Sequence, residues 1–352
     1  MSAEMNALKL IDRLSSEHKL SLTEYEALVT SFDEITVQYA SDRADEFRRA
    51  VYGNKIFIRG LIEIGNVCKN DCLYCGIRRS NVNCQRYILT RKEILDCCET
   101  GYGLGFRTFV LQSGEGSLQT ERICDIVAEI KRRFPECAVT LSLGEYPEKE
   151  YELMKNAGAD RYLLRHETAD REHYRKLHPD MDFDNRMRCL QDLKSLGFQV
   201  GCGFMVGSPF QSAKTIAKDL KFIEDFSPDM CGIGPFIPHK DTPFAGKTAG
   251  SVDFTAYLLS LIRLIKPNIL LPSTTAMGTV DPLGREKGIK AGANVLMPNL
   301  SPVTVRKKYS LYDNKICTGE ESAQCVKCIE QRMKNIGFEL SYERGDIRHG
   351  NL

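Results

Sequence analysis

Eight short apolar runs, separated by amphipathic stretches, restrict the fold of this chain more than any other feature. They begin near Ile56 (IFIRGLIEI), Thr108 (TFVLQS), Ala138 (AVTLSL), Arg161 (RYLLR), Gln199 (QVGCGFMVG), Met230 (MCGIGPF), Ile269 (ILLPST) and Asn294 (NVLMPN). Strand-length runs that alternate with helix-length patterns are the signature of strand–helix units repeated around a parallel sheet. Eight units of this kind close into an α/β fold, a (β/α)8 barrel of the TIM type, in about 250 residues. Start and stop signals lie where the helices need them. Thr90 and Glu93 form a capping-box pattern, and Gly158, Gly197 and Gly292 follow the ends of amphipathic stretches. An open doubly wound sheet would alternate in the same way but would carry a Gly-rich phosphate turn after its first strand, and here that turn is Cys-rich.

The expected organisation is a helical N-terminal segment over residues 1–52, with a capping box at Ser21 and Glu24, the barrel over 53–310, and a Cys-containing C-terminal extension over 311–352. A formal charge of +1 with no run of five like charges argues against a nucleic-acid or anionic-membrane partner. The first residues carry neither a basic nor an apolar leader, and no apolar stretch approaches membrane-spanning length, so a cytoplasmic location is expected. In such a compartment fourteen cysteines point to thiolate ligation of metal rather than to disulfides, and an oxygen-sensitive, anaerobic setting follows from that chemistry.

The barrel places its chemistry at the C-terminal ends of its strands, and the loop after the first strand reads Cys68-Lys-Asn-Asp-Cys72-Leu-Tyr-Cys75. Three thiolates hold three corners of a 4Fe-4S cube, whereas an electron-transfer cluster takes four. The open iron can chelate the amino and carboxylate groups of S-adenosylmethionine (SAM), whose one-electron cleavage gives a 5'-deoxyadenosyl radical. On this reading no side chain is catalytic beyond the cluster and SAM. A zinc site would need a fourth nearby ligand, and the next candidate is Cys84. Tyr74, next to the last thiolate, suits either adenine packing or ordinary loop packing.

Other strand ends supply polar groups. Gln112-Ser113-Gly114-Glu115 combines a close-approach glycine with acceptors for the SAM ammonium. Arg165-His166-Glu167 closes the fourth strand, with Glu167 suited to ribose hydroxyls and Arg165 to an anionic substrate group. Thr140 and Ser142 lie on one face of the third strand, and Thr274 and Thr275 follow the seventh, so hydroxyls are expected inside the barrel. Arg186, on the helix pattern after the fourth strand, is a candidate for the SAM carboxylate or for a solvated face. Met205 and Met297 sit at strand ends, where a methionine is more often a core residue than a cofactor contact.

Together these segments resemble the radical SAM superfamily and, more closely, its HydE family of FeFe-hydrogenase maturases, relatives of biotin synthase and methylornithine synthase. The likeness covers about residues 50–330 and rests on LQSGEG (111–116), TLSLGEYP (140–147), DRYLLRHETAD (160–170), GIGPFIPHKDTP (232–243), TTAMGT (274–279) and GANVLMPN (292–299). Ser113-Gly114-Glu115 is similar to the Gly-Gly-Glu motif of these barrels, with serine at the first glycine. The resemblance implies SAM contacts at Gln112, Glu167, Arg186 and Met205, beside the candidates Tyr74 and Glu115 read from the cysteine loop and the second strand end, and a substrate-binding, anion-holding region at Thr140, Ser142, Arg165, Thr274 and Thr275. It also implies a substrate in the form of a cysteine-bound iron carbonyl cyanide complex attacked at sulfur, the partner maturases HydG and HydF, and an electron donor such as a ferredoxin or flavodoxin. Cys317, Cys325 and Cys328 resemble the auxiliary site of part of that family, implying a second cluster of 2Fe-2S or 4Fe-4S type, with zinc or three idle thiols as the alternatives. Rival readings are a mutase or synthase like methylornithine or biotin synthase, and a non-catalytic iron-sulfur scaffold.

Overall fold

The computed structural model describes residues 3–319 and 322–348; the outermost residues of both end segments lie outside that range. The barrel strands are all parallel. β1 (Lys55–Ile58) continues as β2 (Gly60–Gly65), and β3 (Thr108–Ser113), β4 (Ala138–Ser142), β5 (Arg161–Leu163) and β6 (Gln199–Cys202) follow in order around the sheet. Beyond a break at Gly203 the sixth strand resumes as β7 (Met205–Val206), and the next position holds β8 (Met230–Cys231) and β9 (Gly234–Pro235). β10 (Val295–Leu296) pairs with β1 in the register Phe57↔Val295, and a bridge between Leu61 and Asn299 extends that seam.

The seventh strand expected at Ile269 is reduced to two single bridges, Met230↔Leu270 and Pro272↔Val295. Pro272 has no N–H to give to a ladder, which confines this segment to isolated pairings. The two bridges nevertheless complete the circuit from β8 to β10, so the eight positions form a closed ring. At Gly203 a Cβ would sit 2.1 Å from the carbonyl oxygen of Gly232, so a glycine is needed where the sixth and next strand positions pinch together.

The helices form where their caps and apolar stripes dictate. Both expected capping boxes are present, at Ser21 with Glu24 and at Thr90 with Glu93. The helix Thr120–Arg133 buries Ile123, Ile126, Val127 and Ile130, spaced as one face of a helix, and puts its charges outward. Each such side chain contributes about 1.5–3 kcal/mol of transfer free energy. The helix Val252–Ile265 is buried nearly all round and so needs cover on its outer side as well. The N-terminal helices Leu22–Thr30 and Glu34–Tyr52 are its neighbours there, and Tyr257 donates its hydroxyl to Leu28 O at 3.0 Å.

The C-terminal segment reaches the opposite end of the barrel from the triad. β11 (Glu339–Ser341) pairs with β1, and the chain then turns under the barrel. Arg161, fully buried, donates to Asp346 Oδ1 at 2.5 Å and to Thr108 Oγ1 at 3.1 Å. Arg59, also buried, donates to Gly345 O at 3.2 Å. Two inward-facing guanidinium groups thereby add acceptors from the C-terminal segment to those on the strands. No helix among the described residues is long and apolar enough to cross a membrane.

Candidate active site

The Cys loop begins where β2 ends, and polar side chains hold its shape. Asn66 donates from Nδ2 to Gln85 O at 2.8 Å and to Lys308 O at 2.7 Å. Arg86 donates to Asn66 O, Ile77 O and Arg78 O at 2.6–2.8 Å. Asp71, between the first two cysteines, accepts from Arg78 and from both the amide and the hydroxyl of Ser80. Burial alone would raise its pKa, but these donors hold it down at about 2. The loop is pressed against the turn after β3: a Cβ on Gly114 would lie 2.2 Å from Val67 O and 2.9 Å from Cys68 Cβ.

Cys68, Cys72 and Cys75 are partly exposed, and none is in a disulfide. Burial pushes all three thiols up, Cys75 to about 12, and the Cys72 thiol feels both of the others. Among the described residues no three His, Cys, Asp or Glu side chains are grouped as a single ion would require. A 4Fe-4S cube takes each thiolate on a different iron, so three mutually interacting but separate thiols at the open end of a barrel fit it.

Ladder register aligns the polar strand residues. Gln112 stands beside Glu63 on one side and Ser142 on the other, and Thr140 stands beside Arg161. Past β5, Arg165 and Glu167 point along the same rim, with Arg165 Nη2 3.3 Å from Glu167 Oε2. Glu167 has a left-handed backbone (φ 64) and donates its N–H to Gly203 O at 2.9 Å. His166 between them is fully buried; its Nδ1 accepts from Gly203 N, and its Nε2 is 3.4 Å from buried Asp219. Thr274 and Thr275 sit at the start of the short helix Thr275–Val280.

Several of these groups are buried without a hydrogen bond among the described residues: Thr140 Oγ1, Arg165 Nε and Nη2, Glu167 Oε2 and Thr274 Oγ1. Buried polar atoms without a hydrogen bond are costly, and these belong to β4, to the segment after β5 and to the N-cap of the helix Thr275–Val280. That is the pattern of a site completed by a polar ligand, and it fits SAM.

The remaining expected residues are placed as follows. Tyr74 and Met205 pack with Leu177, Phe236 and Phe244 in one apolar group beside the triad. Burial raises the Tyr74 hydroxyl well above its usual range, and the charges of Glu167 and Cys72 add to that. Glu115 is buried and paired with Lys69 at 3.0 Å. Arg186 is buried and engaged: it donates from Nε to Glu145 at 2.5 Å and from Nη1 to Arg165 O. Burial disfavours its charge, but Tyr174 and Glu145 more than compensate and hold its pKa well above normal. Met297 packs against a separate small cluster with Phe57 and Leu270.

Three features escaped the reading of the sequence. His178 lies 3.2 Å from Cys72 Sγ, buried, with its pKa held well below normal first by burial and then by Arg186 and Arg165. Glu63, 1% exposed, is paired with Lys315 from the C-terminal extension and accepts from Asn299 Nδ2 at 3.0 Å. Glu145 is the partner of Arg186. Each joins residues far apart in sequence, and no local spacing announces them.

In the extension, Cys325 and Cys328 share the helix Ser322–Asn335, and Arg285 donates to Cys317 Sγ at 3.3 Å. Arg332 is raised chiefly by its bond to Glu286, and Cys328 and Cys317 both add to that, so these two thiols share a neighbourhood. Cys97, Cys98, Cys137, Cys189, Cys202 and Cys231 are buried core residues.

Residues 62–223 match the model of the radical SAM superfamily. The chain is 48% identical over 295 residues to the FeFe hydrogenase maturase subunit HydE of Thermotoga maritima, covering 84% of each chain. It is 26% identical over 332 residues to 3-methylornithine synthase of Methanosarcina barkeri, covering 93% of this chain and 92% of that one. Among solved structures, methylornithine synthase (PylB) superposes with a TM-score of 0.80 at 24% identity, covering 94% of this chain and 97% of that one. The maturase HydG of Carboxydothermus hydrogenoformans gives 0.76 at 19% identity, covering 96% and 79%. Both structural likenesses speak to the barrel fold.

Proposed function

The chain belongs to the radical SAM superfamily and, within it, to the HydE family of FeFe-hydrogenase maturases, and from that membership we propose how its residues divide the work. It is a radical SAM enzyme of hydrogenase maturation. The observation that carries the finer reading is the set of buried polar atoms on Thr140, Arg165, Glu167 and Thr274 that have no hydrogen bond among the described residues.

In this reading residues 53–310 form the catalytic barrel, and Cys68, Cys72 and Cys75 hold the 4Fe-4S cluster. When bound, that cluster with SAM supplies the 5'-deoxyadenosyl radical. Gln112 and Glu115 receive the SAM ammonium, and Glu167 Oε2 accepts from ribose hydroxyls. Arg186 spends Nε and Nη1 on Glu145 and Arg165 O, so it meets the SAM carboxylate through its remaining Nη2. Tyr74 and Met205 pack the adenosyl group and exclude water.

Arg165 with Thr140, Ser142, Thr274 and Thr275 offers a cation and hydroxyl donors. Such a lining favours an anion over the ammonium-bearing substrate of a lysine-rearranging enzyme. A cysteine-bound iron carbonyl cyanide complex, attacked at sulfur, has that chemistry. HydG as its source, HydF as the recipient of the product and a ferredoxin or flavodoxin as reductant complete the proposal. The auxiliary cysteines are proposed to hold a second cluster.

The test is anaerobic reconstitution of the full chain, reduction with dithionite in the presence of SAM, and assay for 5'-deoxyadenosine, with and without the iron complex made by HydG. Product that depends on Cys72 and an adenosine-linked adduct with the complex are expected. Equal 5'-deoxyadenosine from Cys72→Ala would refute the site, and turnover of an amino-acid substrate with none of the complex would refute the substrate.

A further inference from the structure

Across the active-site loop, His178 Nδ1 lies 3.2 Å from Cys72 Sγ, and on the other side of the same ring Nε2 lies 3.4 Å from the Tyr74 hydroxyl. The ring is held firmly there. It is 2% exposed, and Tyr174 stacks on it at 4.6 Å with an interplanar angle of 27°. His178 donates its backbone N–H to Tyr174 O at 2.8 Å, and Leu73, next to Cys72, donates to Leu177 O at 3.0 Å. The end of the helix Arg171–Leu177 and the Cys loop are thus clamped together at this point.

The two contacts fix the proton positions once Cys72 carries iron. A free thiol can donate, but a metal-bound thiolate can only accept. Nδ1 then bears the hydrogen, Nε2 is the acceptor, and the Tyr74 hydroxyl is its donor. One neutral imidazole has one donor and one acceptor, and both are used.

We propose that His178 is a positioning residue for the cluster, a hydrogen-bond donor to the Cys72 sulfur oriented by Tyr74, and that this bond raises the cluster's reduction potential. A donor on a ligating sulfur draws charge from it and stabilises the reduced, more negative state. The electron itself comes from an external one-electron reductant. The proposal rests on the assignment of Cys72 as a cluster ligand.

The experiment compares reconstituted full-length wild type, His178→Leu and His178→Asn, matched for iron and sulfide, by reductive titration followed by electron paramagnetic resonance. Asparagine keeps an N–H near the position of Nδ1, and leucine keeps none. A shift of the midpoint to more negative potential in His178→Leu, largely reversed in His178→Asn, is expected. An unmoved midpoint, or equal shifts in the two variants, overturns the proposal.

If His178→Leu fails to hold a cluster, the bond is read without touching it. The reduced protein, labelled with ring-15N histidine, should show a weak nitrogen coupling and an exchangeable-proton coupling to the cluster. His239 packs on Gly76 beside the same loop, so the label is read in a His239→Gln background. Absence of both couplings there overturns the proposal. A cluster that cleaves SAM with an unmoved midpoint removes only the role of His178. A cluster and SAM cleavage that survive Cys72→Ala remove the site reading beneath it.

Discussion

Arg165 Nη2 and Glu167 Oε2 lie 3.3 Å apart, yet neither atom has a hydrogen bond among the described residues. Their opposite charges attract, but the fork of the guanidinium is not aligned on the carboxylate, so both keep capacity for a ligand. Arg165→Lys retains the charge and loses the planar fork. A charge-assisted bond contributes about 1.5–3 kcal/mol, so anionic-substrate affinity should fall roughly tenfold to a hundredfold. SAM cleavage without substrate should change little. Binding titration of the iron complex beside 5'-deoxyadenosine assay separates the two effects, and a parallel loss of both would place Arg165 on SAM instead.

Glu167 sets a backbone cost against a function. At φ 64 a side chain is strained by about 1 kcal/mol, which glycine would avoid. Glu167→Ala and Glu167→Gly both remove the carboxylate and should weaken SAM binding equally. The glycine variant should be the more stable of the two by about 1 kcal/mol. Denaturant midpoints and SAM titrations of the pair test this; an alanine variant as stable as the glycine variant would contradict it.

At the barrel floor, burial pushes the Asp346 carboxyl up, but Arg161 and Gln199 outweigh it and hold the pKa below the usual range. A carboxylate depressed on folding adds stability that is present above its unfolded value, about 3.9. That stability is lost as pH falls from there through the depressed folded value. Asp346→Asn should therefore lower stability at neutral pH and narrow its difference from wild type in acid. Because the side chain is 38% exposed, the cost should be about 1–2 kcal/mol. Urea unfolding at neutral and acid pH measures it; a constant difference would mean that charge plays no part.

Replacing Cys317, Cys325 and Cys328 together by alanine should lower iron content per chain while leaving SAM-dependent 5'-deoxyadenosine formation intact. Iron and sulfide assay with Mössbauer spectra of the variant gives the answer. Unchanged iron would dismiss the auxiliary cluster, and lost SAM cleavage would tie it to the chemistry.

Much of this protein is legible locally. Ser21 and Thr90 announce their helices because a cap is a contact across three residues, and seven barrel strands are apolar runs whose burial needs no partner to be named. The triad is equally local. The seventh strand is misjudged because Pro272 withholds the N–H that its apolar neighbours suggest it would use. Sequence order also hides Glu63 with Lys315 and His178 with Cys72, because folding brings together residues 252 and 106 positions apart. The polar stretch Arg344–Asp346 reads as a solvated end, and only the burial of Arg59 and Arg161 reveals where it must go.

That floor has a bearing on biosynthesis. Ribosomes release the residues of β10 well before those of β11 and Asp346, so the nascent cylinder can close its wall while its base stays open. Two buried guanidinium groups, Arg59 and Arg161, have only their strand partners until the remaining stretch brings the carbonyl of Gly345 and the carboxylate of Asp346. The interior is sealed from below only as synthesis passes that stretch, and until then the growing polypeptide is a tube with two mouths.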